Sequence, residues 1–173
     1  IGFGGIRLPI QGLNNKYNTP YQTQKHIILY NGEIYNFKEI SKTAECDIQL
    51  LEEDFDPAMF DGDFAIVKYD KEKEKIEITT DRFGKKQLYY KYENYISGIS
   101  SEIKALISEK DKIDNYYLST VAKFGYVFNS DNTAIRNIKK FLPGKKYTIS
   151  NGGQIEKIES VKWDSSKLIP KNH

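Results

Sequence analysis

The strongest constraint on the fold lies between residues 60 and 100, where short apolar runs follow one another with turn-forming residues between them. Residues 64–69 read FAIVKY, and residues 75–80 read KIEITT with the clean alternation of a half-exposed strand. The charged stretch 70–74 separates them as a turn, and DRFGKK at 81–86 makes another. Residues 87–92 and 95–100 then form a hairpin about Glu93-Asn94. Strand side chains alternate with period two, and strands joined this closely are antiparallel neighbours, because a parallel pair needs a crossover of a dozen residues or more. A further hairpin is expected where 146–149 and 154–158 flank Asn151-Gly152-Gly153.

Helical spacing is confined to three places. Residues 46–55 put Ile48, Leu51 and Phe55 on one side, with Asp47 near the start, where a carboxylate complements the dipole. Residues 101–107 follow a Ser cap, and 115–124 form the third helix. The whole reads as a sheet-rich α+β chain with helices between runs of strands.

The front of the chain is less regular. Residues 1–10 should be extended, ending near Pro9, and 11–24 read as a loop. Residues 26–37, HIILYNGEIYNF, carry two readings. Asn-Gly between strand-like runs is a signal for a tight primed hairpin turn. The same pair can instead be a site, since an Asn carboxamide and a neighbouring Gly N–H can both donate to one developing negative oxygen, with Glu33 beside them to hold a cation. Local sequence leaves both open.

At 173 residues, with 39% apolar and 29% charged side chains, the chain is expected to be one domain that buries a core without disulfides or metal. No apolar run approaches the ~20 residues that a membrane-spanning helix needs, and Ile1 opens on no signal-peptide pattern. The near-balanced charge of +2, with no dense Lys/Arg block, gives no nucleic-acid surface. The single Cys46 cannot form an internal disulfide and suits a reducing, cytoplasmic setting. His26 and His173, far apart, make no zinc cluster. Among 26 basic residues only Arg7, Arg82 and Arg136 are arginines, so each is a candidate for a place that needs a planar, bidentate donor.

NGEIYNF at 31–37, FDGDFAIVKYD at 60–70, DRFGKKQLYY at 81–90, SEIKAL at 101–106 and FLPGKKY at 141–147 resemble, in order, the amino-terminal glutaminase domain of asparagine synthetases, a class II glutamine amidotransferase. GGIRLPI at 4–10 is similar to that family's Arg-Leu-Ser-Ile stretch, and Lys162-Trp163-Asp164 resembles the end of the domain, placing it at 1–164 with a tail at 165–173. The resemblance implies the N-terminal-nucleophile fold, an αββα sandwich of two antiparallel sheets. It implies that Arg7 pairs with the α-carboxylate of glutamine, that Asn31 and Gly32 form the oxyanion hole, that Glu33 and Asp47 hold the α-ammonium, and that Leu8 and Ile10 line the pocket. Glutamine is then the ligand, ammonia is released to an acceptor (aspartate in the family), and asparagine biosynthesis is the setting.

The family's nucleophile is a Cys at the start of the mature chain, whose own α-amine is the base. Here position 1 is Ile, and Cys46 is internal. The expectation is a glutaminase domain whose first strand and Cys segment lie outside these residues. The alternatives are a catalytically dead glutamine-binding domain and a structural or assembly domain reusing the fold. No Ser-Gly-Gly-x-Asp-Ser motif occurs, so no cofactor is expected here; ATP and Mg would belong to a synthetase partner domain.

Overall fold

The computed structural model describes residues 1–5, 14–127 and 130–163. Arg7, Leu8 and Ile10, and the expected 165–173 tail, lie outside the described residues. The strands are β1 (Tyr21–Gln22), β2 (His26–Ile34), β3 (Gly62–Asp70), β4 (Lys75–Thr80), β5 (Tyr89–Tyr92), β6 (Ile96–Ser100), β7 (Ile138–Lys140), β8 (Lys145–Ser150) and β9 (Ile155–Ser160). They form a larger sheet in the order β1-β2-β3-β4-β8-β9 and a smaller one in the order β6-β5-β7. Every recorded pairing is antiparallel.

β3 is the centre of the larger sheet. All its residues from Phe64 to Lys68 are buried, because both faces are covered. Phe64 and Ile66 join Ile28, Ile34, Ile48, Leu51 and Phe60 in one core beneath the sheet. Ala65 and Val67 face the other way and pack with Ile78, Tyr147 and Ile149 against Leu88, Tyr90, Ile96 and Phe141, the layer between the sheets. A buried side chain of this size contributes roughly 1.5–3 kcal/mol by leaving water. The polar exception is Lys68, which donates to the Glu53 carbonyl at 2.5 Å and lies over the Phe55 ring at 5.4 Å. Burial pushes its ammonium below the ordinary lysine range.

The strands expected at 64–69, 75–80, 87–92, 95–100, 146–149 and 154–158 are present within a few residues of their expected bounds. The helix expected at 115–124 is α2 (Asn115–Phe124), capped by Asp114 accepting from the Tyr117 N–H at 3.0 Å. The turn at 81–86 folds around the Asp81 carboxylate, which accepts from the N–H groups of Phe83, Lys85 and Lys86 at 3.0 Å each.

Three expectations change. The helix at 46–55 is a short 3-10 turn, Asp47–Leu51, because the acids Glu52, Glu53 and Asp54 oppose the dipole where a longer helix would end. The helix at 101–107 shrinks to Ile103–Ala105, with Glu102 at its N-cap making no side-chain cap bond. The hairpin reading of Asn31-Gly32 fails: both residues sit inside β2, where Asn31 pairs with Ala65 and Gly32 with Phe64. The chain turns afterwards, through α1 (Phe37–Ile40).

Candidate active site

Asn31 and Gly32 can stay in a continuous strand because two glycines let β2 and β3 close up. Gly32 has φ 140°, and a Cβ there would stand 2.0 Å from the Asp63 carbonyl oxygen and 2.7 Å from the Phe64 Cα. Across the ladder, a Cβ on Gly62 would stand 2.1 Å from the Glu33 carbonyl oxygen. Only glycine tolerates both the approach and, at Gly32, the positive φ. What sequence offered as turn chemistry is strand chemistry under close backbone packing.

Alternation along β2 divides the segment between two faces. Asn31, with Leu29, Ala65 and Val67, lines a cavity of about 480 Å³ between the two sheets. Its other walls come from Leu88, from residues 96–101 and from residues 1–5. The floor is apolar, while Ser97, Ser100, Ser101 and Asn151 bring polar groups to it. Apolar concavities with a few convergent polar groups are the usual form of a small-molecule site. By alternation Glu33 takes the same side as Asn31, and it pairs across the ladder with Asp63. Asp63 is engaged by the Lys85 ammonium at 3.1 Å.

Tyr30 and Ile34 belong to the opposite side, with the core that contains Cys46, Ile48 and Leu51. There Asp47 is only 4% exposed. Its Oδ2 accepts from the Tyr30 hydroxyl at 2.6 Å and the Ile34 N–H at 3.0 Å. Its Oδ1 accepts from the Ile48 N–H at 3.0 Å and the Cys46 thiol at 3.2 Å. Burial, and then the Asp47 charge, push the Tyr30 phenol far above its ordinary value, so it stays a donor. These four donors are internal to the chain, and a substrate ammonium would have to displace one of them to reach Asp47.

The structure thus keeps Asn31, Gly32 and Glu33 on one strand, with Asn31 at the cavity, and sets Asp47 behind that strand. Cys46, the chain's one thiol, is fully buried on the same far side. Among the described residues no group of three His, Cys, Asp or Glu side chains could hold a metal ion. Nor is any described helix long and apolar enough to cross a membrane. Sequence reasoning missed Tyr30, which read as one more apolar strand residue, although a phenol next to Asn31 is a polar group that burial must satisfy. It also missed the serines of β6, which carry no signal in the sequence.

Residues 53–160 match the family described as glutamine amidotransferase domain. The glutamine-hydrolysing asparagine synthetase 1 of Bacillus subtilis (strain 168) is 29% identical over 98% of this chain and 30% of its own length. Asparagine synthetase 2 of the same organism is 34% identical over 62% of this chain and 16% of its own length. The chain therefore spans about a third or less of these relatives. A solved structure of glutamine phosphoribosylpyrophosphate amidotransferase from B. subtilis superposes with a TM-score of 0.51 over 83% of this chain and 30% of that chain, at 12% identity, and so shares the fold. Two antiparallel sheets packed on one apolar layer, the fold shared with that amidotransferase, and the match over 53–160 lead to one assignment: the chain belongs to the class II glutamine amidotransferase family, as a domain of asparagine synthetase type with the N-terminal-nucleophile fold.

Proposed function

We propose that this chain carries the substrate-binding and oxyanion-stabilising part of a glutaminase site that releases ammonia to a synthetase partner domain, with aspartate as acceptor. The observation that carries this reading is the placement of Asn31: it lines the inter-sheet cavity, next in sequence to Gly32, in a chain whose residues 53–160 match a glutamine amidotransferase domain. A thiolate attacks the glutamine carboxamide carbon, and the new oxyanion takes hydrogen bonds from the Asn31 side chain and the Gly32 N–H. The protonated amine leaves as ammonia, and water cleaves the thioester to glutamate. Glu33 meets the α-ammonium, and Arg7, with Leu8 and Ile10 beside it, meets the α-carboxylate. Cys46 is not the nucleophile in this scheme, since it is buried on the far side of the strand from Asn31. The attacking thiol therefore comes from outside residues 1–173. The chemistry proposed here needs no cofactor, and ATP and Mg act in the synthetase half.

The test is ammonia release from glutamine by the full-length gene product. Asn31→Ala should lower kcat ~100-fold or more, the usual effect of losing one oxyanion donor. Turnover that ignores this substitution refutes the assignment.

A further inference from the structure

We propose that the outer edge of β9 is a self-association surface, on which a second copy of this chain adds its own β9, antiparallel, about a two-fold axis through Ile158. The larger sheet ends on one side in β1, two residues long, and on the other in β9, six residues long with residues 156–160 all exposed. The Val161 N–H donates to the Gly144 carbonyl at 3.0 Å, and the β8–β9 register continues that pairing at Lys146 and Glu159. Antiparallel bonding alternates along a strand. Lys157 and Glu159 therefore turn their N–H and C=O groups to β8, while Ile158 and Ser160 turn theirs outward. Among the described residues no strand takes those groups up. Such an edge is a template for another strand.

The side chains select which strand fits. Charges on an edge ordinarily keep foreign strands away, but β9 carries one of each sign on one face, two residues apart. A two-fold axis through Ile158 sets Lys157 opposite Glu159 of the second copy, and Glu159 opposite its Lys157. Within its own strand Lys157 already reaches Glu159 at 2.8 Å, so each gains a second partner of opposite sign. The alternation of sign also runs inward on that face, where Lys146, opposite Glu159, bonds Glu77 at 3.1 Å. On the other face Ile158 lies across from Tyr147 of the inter-sheet layer, yet is 55% exposed. The axis brings it against its own copy as an apolar pair. The neighbouring two-fold registers, centred on Lys157 or on Glu159, oppose two lysines or two glutamates instead. One strand pair covers less than the ~800 Å² per partner of a standard interface, so the dimer is concentration-dependent, with a dissociation constant of about micromolar or weaker.

Sedimentation of the full-length gene product should show a dimer that forms with rising concentration. Lys157→Glu and Glu159→Lys should each weaken it about tenfold or more, because like charges then face each other across the axis. The double exchange restores opposite signs and should return the dissociation constant to within about threefold of wild type. These residues are exposed, so Tm at low concentration should hardly move. Ile158→Cys should give a disulfide-linked dimer under mild oxidation, since axis-related Cα atoms in a hydrogen-bonded pair stand ~5.5 Å apart. Lys157→Cys alone should stay unlinked, its axis-related Cα atoms lying beyond ~7 Å, whereas a mixture of Lys157→Cys with Glu159→Cys should link. Wild type, with its own thiols, is the blank. A gene product monomeric at every concentration, a dimer that ignores the charge reversals, or an unlinked Ile158→Cys variant overturns the proposal. Open-ended polymers overturn the two-fold geometry. An introduced thiol at 158 that neither links nor reacts with reagent shows another part of the gene product covering the edge, and overturns it as well.

Discussion

Gly32→Ala should be among the most destabilising single-methyl additions in this chain. The added Cβ would stand 2.0 Å from the Asp63 carbonyl oxygen, 2.7 Å from the Phe64 Cα and 2.9 Å from the Asp63 carbonyl carbon. Relief requires the strands to part by about 1 Å against a normal spacing of ~4.8 Å, which breaks the nearest ladder bonds at roughly 1 kcal/mol each. The φ of 140° adds backbone strain of roughly 1–3 kcal/mol. The sum is about 3–5 kcal/mol, or a fall in Tm of roughly 6–20 °C for a chain of this size. Gly62→Ala meets a similar wall, the Glu33 carbonyl oxygen at 2.1 Å, without the positive φ, so it should cost ~1–3 kcal/mol less. The two losses should not add, because strands already forced apart by one methyl have room for the other. Urea unfolding of the single and double variants, with m held constant, measures all three quantities. A Gly32→Ala variant that loses less than about 1 kcal/mol, or strict additivity of the pair, would refute the close-approach argument.

Two further outcomes follow from buried groups. Cys46 should resist a thiol reagent in the native protein and react stoichiometrically once unfolded, and Cys46→Ser should leave glutamine turnover unchanged; rapid native labelling would remove it from the core. The Lys91 ammonium, the Asn137 amide and the Ser108 N–H hold the Asp111 carboxyl well below the usual carboxylate range. Its folded-state pKa is depressed, so its contribution is complete above about pH 4 and is lost as the pH falls further; Tm between about pH 4 and 2 should drop less steeply in Lys91→Met than in the wild type.

The larger sheet was legible because its information is local. KIEITT became β4 without adjustment, and the hairpin about residues 151–153 needed only its own glycines and two alternating runs. β7 was not legible, since three residues, Ile138–Lys140, carry no period and form a strand only because β5 offers an edge to pair with. The site was legible in part. Asn31, Gly32 and Glu33 stood out as an unusual triplet, yet the same Asn-Gly pair also encodes a turn, and the choice between them depends on Gly62, some thirty residues later. Asp47 was marked as a carboxylate of interest, but its face depends on where the 3-10 turn packs, which spacing alone does not give.

The path of the chain between β4 and β8 has a consequence for how the cavity can change. β4 and β8 are neighbours, with Thr79 opposite Lys146, and the Gly144 N–H donates to the Asp81 carbonyl at 3.2 Å. The chain therefore departs at Asp81 and returns at Gly144 to almost the same point. Everything between is one continuous excursion that contains all three strands of the smaller sheet and α2. Insertions and deletions inside it can raise, lower or reshape the roof over Asn31 while every register in the larger sheet stays as it is. The floor that carries the candidate chemistry and the roof that limits what reaches it are thus separable units of variation, with the chain crossing between them at one pair of adjacent residues and the Ile96 N–H bonding the Gly153 carbonyl from one to the other.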